Sequence, residues 1–198
     1  MVAISENSSD IKFEVHLEDW WNAVHLWPND ITISSVNLME SIEFILQLLN
    51  KYSVKANFYV LGMIAEIYPE TIRRISNHGH KIGSHGYLHF HNEHERDKGD
   101  LATREILATL GIECFGYRSP YWDSNPIPGK SGGFFFRALP LWMLKNEIKK
   151  SKVFWIHPHD IMLHHPSLKD PFLDWKRHFG LKHSRLKLER LLSDGIFH

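Results

Sequence analysis

Short apolar runs with strand-like composition alternate along the chain with longer segments of helical periodicity. The first run, IKFEVHL at 11–17, predicts a strand, and the segment SSVNLMESIEFILQLLNKY at 34–52 repeats its apolar residues every three or four positions. The residues of this apolar stripe are Val36, Met39, Ile42, Ile45, Leu46 and Leu49. Strands that alternate with amphipathic helices are typical of an α/β domain built on parallel strands, and we predict this fold class.

The rest of the chain continues the alternation. Further strands are predicted at KANFYVLG (55–62), KIGSH (81–85), IECFGYRS (112–119) and KVFWIHPHD (152–160). Helices are predicted at YPETIRRISNHGH (68–80), GDLATREILATLG (99–111) and HSRLKLERLLSDG (183–195), the second with Asp100 as its N-cap. Between Pro120 and Pro140 the periodicity fails among glycines and prolines, so we predict a loop with one short strand there.

Length and composition favour one domain that spans residues 1–198. A chain of 198 residues with 43% hydrophobic residues can bury one sizeable core but has little room for a second. The 23 basic residues balance the 23 acidic ones, which argues against nucleic acid or an anionic membrane as a partner. No apolar run approaches the roughly 18 residues that a membrane-spanning helix needs.

The cysteine content and the first residues favour a reducing compartment. Cys114 is the single cysteine and has no partner within the chain for a disulfide. The opening MVAISENSSD has neither the basic nor the apolar region of a secretory signal. We therefore expect a cytoplasmic location.

Polar residues follow four of the predicted strands, in VHLEDWW, GSHGYLH, GYRSPYW and WIHPHD. The carboxyl ends of parallel strands meet at the same edge of a sheet or barrel, so these acids, imidazoles and the guanidinium should share one crevice. Such a set is what a hydrolytic metal site requires. The sequence therefore places a candidate active site at this edge.

Each candidate residue also has a structural interpretation. The pair His85 and His89 follows a strand at once, and neutral imidazole is a preferred ligand of zinc and similar ions, but such a pair also arises by chance in a chain with 15 histidines. The adjacent acids Glu18 and Asp19 have apolar neighbours, which raise the cost of ionisation, yet they could be a solvated strand end. His157 could be a core histidine.

The motifs carry a resemblance to a known family over nearly the whole chain. The stretch KANFYVLGMIAEIYPETIRRISNHGHKIGSHGYLHF resembles the strand-helix-strand core of the NodB-homology polysaccharide deacetylases, carbohydrate esterase family 4, including their metal-binding histidine motif. GYRSPYW is similar to the family motif that supplies an arginine, and SGGFFFRALP with WIHPHD resembles the branch associated with exopolysaccharide loci. The resemblance implies a distorted (β/α) barrel, usually of seven strands. The connection after Ser124 is shorter than in that branch, so we expect the barrel to be incomplete.

The resemblance also implies roles for individual residues. Asp19, His85 and His89 would hold one divalent metal ion, expected to be Zn²⁺. The implied catalytic residues are Glu18 as the base, Arg118 as the group that keeps this carboxylate ionised, and His157 as the general acid. The aromatic residues expected to contact a sugar ring are Trp20, Tyr121 and Trp122.

One departure from the family pattern leaves two registers open. Members of the branch begin with an Asp-x-Glu-Asp-aromatic motif, whereas this chain has HLEDWW, so His16 stands where the leading aspartate is expected. Aligning HLEDW with the Thr-Phe-Asp-Asp-Gly form of the family instead makes Glu18 the base and Asp19 the ligand, and we prefer this register because it loses no function. In the other register Glu18 is the metal ligand and His16 occupies the position of the base.

Three functions follow from these observations. The first is a hydrolase that removes an N-acetyl or related N-acyl group from an amino sugar, with a surface polysaccharide or its precursor as the substrate. The second is a non-catalytic relative that binds a sugar or a metal after loss of the leading aspartate. The third is a metal-free amidohydrolase that acts on a small amide, which chelation would leave fully active.

Overall fold

The computed structural model describes residues 11–20, 22, 36–89, 93–120, 129–165, 167, 168 and 170–197, with the backbone alone at 36, 37 and 93–96. Five parallel strands form one sheet in the order β4-β3-β2-β1-β5. The strands are β1 (Lys12–Leu17), β2 (Asn57–Val60), β3 (Lys81–Ser84), β4 (Cys114–Tyr117) and β5 (Val153–Ile156). This parallel arrangement confirms the predicted α/β class, and each of the five predicted strands is present.

Helices connect and cover the strands. They are α1 (Val36–Lys51), α2 (Gly62–Ile67), α3 (Pro69–Asn77), α4 (Glu93–Thr109), α5 (Gly133–Ala138), α6 (Leu141–Ser151), α7 (Pro171–His178) and α8 (Leu181–Ser193). A short 3₁₀ helix, Pro158–Ile161, follows β5. No helix in the described ranges is both long enough and apolar enough to span a bilayer.

The two faces of β1 have different chemistry. Phe13, Val15 and Leu17 alternate along the strand and are buried in the main hydrophobic core with residues of α1, such as Ile42 and Ile45. The intervening residues, Glu14 and His16, and Glu18 just past the strand end are also buried, although they are polar. Because side chains alternate between the faces of a strand, one face of β1 supports the core and the other carries polar groups toward the site.

The predicted loop between Pro120 and Pro140 is wrong for residues 133–138, which form α5. The glycines of this segment mark close packing: a Cβ on Gly132 would lie 2.0 Å from the backbone oxygen of Trp155, and Gly133 has a φ of +52° beside the Trp155 ring. Only glycine accepts that approach at low cost. Gly132 also forms an isolated parallel bridge with Trp155, so the helix is attached to β5.

The structure also revises the start of one helix and adds three others. Helix α4 begins at Glu93, so Asp100 is not its N-cap but lies within the helix, where it accepts hydrogen bonds from Arg104. Helices α2, α6 and α7 were not predicted, and α2 begins at Gly62, the last residue of the predicted strand 55–62. Helix α7 begins after Asp170, whose side chain accepts hydrogen bonds from the first free backbone N–H groups of the helix.

Candidate active site

The carboxyl ends of the parallel strands bring the polar motifs together, as the sequence predicts. Glu18 follows β1, His85 follows β3, Arg118 follows β4 and His157 follows β5. Since all five strands are parallel, these residues leave the sheet at the same edge.

Glu18, His85 and His89 form a buried group of three potential metal ligands. One ligand atom from each residue lies within 4.8 Å of the ligand atoms of the other two. The residues are 3%, 0% and 6% exposed, and Oε2 of Glu18 lies 3.3 Å from Nε2 of His89. A carboxylate and two imidazoles are the three protein ligands of many zinc sites that keep a further position open.

His85 is held in the tautomer that a metal ligand needs. Its Nδ1 lies 2.7 Å from the carbonyl oxygen of Arg118, and because a carbonyl can only accept, Nδ1 carries the hydrogen. Nε2 therefore presents a lone pair, and it has no hydrogen-bond partner within the described part of the chain. Burial and the nearby His16 hold the pKa of His85 well below its usual value, so the ring is neutral. A backbone carbonyl that orients a ligand histidine in this way is a recurrent feature of metal sites, and these residues fit a divalent ion.

The second oxygen of Glu18 contacts His157. Oε1 of Glu18 lies 2.8 Å from Nε2 of His157. Burial by itself would raise the pKa of Glu18, but the imidazoles of His89 and His157 outweigh it and hold this pKa well below its usual value. Glu18 is thus a carboxylate shared between the histidine pair and His157.

His157 lies between two carboxylates. Its backbone N–H donates to Oδ2 of Asp160 over 2.9 Å, and Nδ1 lies 3.1 Å from the same oxygen, while Nε2 faces Glu18. Burial lowers the pKa of His157, but Glu18 and Asp160 reverse this effect and raise it to about 9. The ring is consequently an imidazolium that points its Nε2–H at the ligand group.

His16 is buried beside the same group. Its ring is stacked on that of Trp155, with the centroids 5.4 Å apart, and its centroid lies 4.9 Å from that of His85 and 5.6 Å from that of His157. Burial and the charge of His157 hold the pKa of His16 well below its usual value. His16 is therefore a neutral imidazole next to a protonated one.

Arg118 contacts a carboxylate other than the one expected. Its Nη2 donates to Oε1 of Glu14, not to Glu18, and its guanidinium lies 5.1 Å from the ring centroid of Tyr59. Burial raises the pKa of Glu14, and Arg118 opposes this shift. Oε2 of Glu14 lies 3.6 Å from Nε2 of His16, so Glu14 lies between Arg118 and His16 and links them. Sequence reasoning missed Glu14, although an acid on the same strand face as His16 was a usable signal.

The remaining predicted residues occupy other positions. The group of three ligands does not include Asp19, whose Oδ1 accepts from the backbone N–H of Trp20 and whose own N–H donates to Asn22. Trp20 is 3% exposed and packs against Met162, so in this structure its ring belongs to the packing and offers no open face to a sugar. Tyr121 and Trp122 lie outside the described residues.

A second group of three, His157, His159 and Asp160, is less suited to a metal ion. The two imidazole rings are stacked with centroids 4.4 Å apart and planes inclined by 13°. Because imidazole lone pairs lie in the ring plane, parallel stacked rings do not direct them at one point. Asp160 is also engaged by Arg137 at 3.0 Å. We therefore take Glu18, His85 and His89 as the candidate metal centre.

The chain is similar to known polysaccharide deacetylases. Residues 35–125 match the family model of polysaccharide deacetylases, a segment that contains His85, His89 and Arg118. The chain is 43% identical over 84 residues to a peptidoglycan-N-acetylglucosamine deacetylase of Bacillus cereus, a match that covers 40% of this chain and 30% of that protein. Overall the chain spans about a third of the length of the curated relatives that it matches.

Solved structures share the fold over most of the chain. The peptidoglycan deacetylase PdaC of Bacillus subtilis superposes with a TM-score of 0.56 at 16% identity, over 94% of this chain and 85% of that one. A CE4 family pseudoenzyme of Bacillus anthracis superposes with a TM-score of 0.53 at 12% identity, over 92% and 61%. At such identities the likeness concerns the fold, and it agrees with the expected incomplete barrel. Together with the match at 35–125, it confirms the resemblance of this chain to the NodB-homology polysaccharide deacetylases, carbohydrate esterase family 4.

Proposed function

We propose that this chain is a metal-dependent hydrolase that removes an N-acetyl group from an amino sugar of a polysaccharide or of its precursor. The observation that carries the proposal is the buried group of Glu18, His85 and His89, in which the tautomer of His85 is fixed by a backbone carbonyl. Three ligands of this type suit Zn²⁺ and leave room for water and substrate. When bound there, a divalent ion would lower the pKa of a water molecule and polarise the acyl carbonyl.

The contacts support the register in which Glu18, and not Asp19, is the carboxylate ligand. Glu18 lies on the polar face that β1 presents to His85 and His89, whereas the carboxylate of Asp19 closes the turn at Trp20. We therefore assign Glu18 to metal binding, which reverses our sequence-based preference. In the same register His16 takes the position of the leading aspartate.

Two imidazoles then divide the proton transfers. His16 lies on the strand face of Glu18, with its ring beside that of His85, and we assign it as the group that accepts the proton of the attacking water. His157 approaches from β5 with a hydrogen on Nε2, and we assign it to protonate the leaving amine nitrogen. Arg118 and Glu14 form an ion pair next to His16 and support its position. The atoms that form this pair do not contact Glu18.

The substrate class is proposed from the relatives. The curated match is named for N-acetylglucosamine units of peptidoglycan, a polymer of N-acetylated amino sugars. We propose an N-acetylated amino-sugar chain or precursor as the partner of this site. The cytoplasmic location stays a prediction.

The test combines metal analysis with an assay of acetate release. Purified protein would be analysed for zinc and other divalent ions and incubated with N-acetylated chito-oligosaccharides and with nucleotide-activated N-acetyl sugars. We expect about one ion per chain, acetate release, and loss of both in His85→Ala. His183→Ala, a change at an exposed histidine of α8, serves as the matched control. Full activity after chelation and dialysis would contradict the metal dependence and favour the metal-free amidohydrolase.

A non-catalytic role is the second candidate, and two observations favour it. His16 stands where the family branch has an aspartate, and one of the structural neighbours is described as a pseudoenzyme. In that case the protein would bind metal at Glu18, His85 and His89 but release no acetate from any of these sugars. Stoichiometric metal without turnover would favour this candidate.

A further inference from the structure

Arg137 is a buried cation that the chemistry proposed above leaves without a role. It belongs to the segment SGGFFFRALP, lies within α5 and is 7% exposed. A buried guanidinium is costly unless its N–H groups have partners, so its partners indicate why it is there.

The partners of Arg137 come from two separate elements. Its Nε donates to Oδ1 of Asp160 over 3.0 Å. Its Nη1 donates to the carbonyl oxygens of Arg177 and Phe179 over 2.8 and 2.6 Å, with Lys176 O at 3.3 Å. The last carbonyls of a helix lack partners within it, so the guanidinium caps the carboxyl end of α7 while it holds Asp160.

Asp160 connects Arg137 to His157 because its two oxygens have different partners. Oδ1 accepts from Arg137, and Oδ2 accepts from the backbone N–H of His157 and faces Nδ1 of the same residue. The opposite side of the His157 ring contacts Glu18. The direction in which Nε2 of His157 points therefore depends on where Asp160 is held.

The backbone around Arg137 is itself well anchored. Nζ of Lys187 on α8 donates to the carbonyl oxygens of Phe136, Arg137 and Leu139, at 2.9, 3.0 and 2.6 Å. Gly180 packs against Arg137 so closely that a Cβ there would lie 2.8 Å from its carbonyl oxygen. A side chain on such a support can fix the geometry of its neighbour to the accuracy that proton transfer needs.

We propose that Arg137 is a positioning residue that clamps Asp160 to the end of α7 and thereby aims His157 at the leaving group. The proposal rests on the proposed function for its kinetic consequence. The hydrogen bonds of Arg137 go to Asp160 and to the end of α7, and not to the three proposed metal ligands, so its removal should spare metal binding and act on turnover. Arg185 on α8 provides the matched control, because it also hydrogen-bonds the same 3₁₀ segment, through the carbonyl of Ile161, but pairs with Glu40 instead of Asp160.

The kinetic test uses two substitutions that differ in the space they leave. We expect Arg137→Ala and Arg137→Met to lower kcat by roughly 10- to 100-fold, less than loss of the acid itself, with KM and metal content nearly unchanged. Millimolar methylguanidinium should restore part of the kcat of Arg137→Ala, whose cavity can admit it, and not that of Arg137→Met. General destabilisation would not be relieved by a guanidinium salt. An unchanged kcat, or an equal loss in Arg185→Met, would overturn the proposal.

A second measurement does not depend on activity. The imidazole ¹⁵N and ¹H signals of His157, assigned by comparison with His157→Ala, should show one ring state with a slowly exchanging Nδ1–H in the wild-type protein. Arg137→Lys keeps the charge but lacks the separate N–H groups that let the guanidinium bind Asp160 and the end of α7 together. It should give broadened or multiple signals, and Arg185→Met should not. Identical His157 signals in Arg137→Lys and the wild type would overturn the proposal. If the wild type releases no acetate, the proposed function fails and this measurement still decides the role of Arg137.

Discussion

Nε2 of His157 lies 2.8 Å from Oε1 of Glu18, and this ion pair links the residues that follow β5 and β1. The other oxygen of the same carboxylate lies 3.3 Å from His89. Glu18 therefore belongs to the group proposed to hold the metal and also contacts the residue proposed to donate a proton. Whether Glu18 or Asp19 is the carboxylate ligand therefore bears on both the proposed metal site and the contact with His157.

The first prediction concerns that carboxylate. Glu18→Gln should weaken binding of the divalent ion by more than about 100-fold, since loss of a ligand should exceed the 10- to 100-fold effect of losing an outer partner. Asp19→Asn should leave metal affinity within a few-fold of the wild type, because Asp19 closes a turn. Competition with a chromophoric chelator measures both. Glu18→Gln with full metal and Asp19→Asn without it would restore the other register.

The second prediction concerns His157. His157→Ala should lower kcat by about 10² to 10⁴, the usual scale for loss of a general acid, while the protein keeps its metal. Steady-state acetate release and metal analysis of the same sample measure the two effects. His164→Ala, at an exposed histidine nearby in the sequence, should match the wild type. An unchanged rate in His157→Ala would reject the assignment.

The third prediction asks whether His16 is the base. His16→Ala should retain the metal and lose most turnover, whereas His16→Asp, which restores the leading acid of the family branch, should retain turnover or increase it. The reason is that either side chain can accept a proton at this position, and alanine cannot. A His16→Ala protein with wild-type kcat would show that another group accepts the proton.

The fourth prediction concerns the attachment of α5 to β5. Gly132→Ala should lower the free energy of unfolding by about 1 to 3 kcal/mol, the usual cost of overpacking. The reason is that the new Cβ would lie 2.0 Å from the Trp155 backbone oxygen. Gly116→Ala is the control, since a Cβ there meets nothing within 4 Å. Urea unfolding of both variants provides the comparison. Equal stability of the two would mean that the close approach does not limit the fold.

The fifth prediction concerns the pH dependence of stability. Burial raises the pKa of Asp160, but its hydrogen bond with His157 and the charges of His159 and Arg137 outweigh this and hold the pKa well below its usual value. The stability that ionised Asp160 contributes is therefore present above about pH 4, the ordinary pKa of an aspartate, and is lost as the pH falls below it.

Asp160→Asn tests this directly. At pH 7 it should lower the free energy of unfolding by about 3 kcal/mol, as expected when a buried pair loses one partner. The difference from the wild type should narrow as the pH falls below about 4. Asp97→Asn, at an exposed position of α4, should show no such difference at either pH. A difference that stays constant down to pH 2.5 would contradict the assigned cause.

Much of the fold follows from patterns that are local in the sequence. The five strands and the apolar face of α1 could be predicted because each depends on spacing within a few residues. Helix α5 could not be predicted, since the glycines at 132 and 133 suggest a loop when considered alone. Their role is visible only in the folded chain, where they pack closely against Trp155. The packing partner that justifies them is not a neighbour in sequence.

The sequence by itself determined which histidines meet, the pair His85 and His89 and the late His157, and the edge of the sheet at which they meet. A strand followed at once by His85 and His89 defines both the residue types and their place, whatever surrounds them. The proposed choice of Glu18 over Asp19 as the metal ligand rests on contacts of the folded chain, because the alternation of side chains along a strand does not extend past the strand end. It also decided the partner of Arg118, which is Glu14, 104 positions away in the chain. Such a pair depends on β4 and β1 being brought into one sheet, and strand order is a property of the folded chain that no local pattern contains.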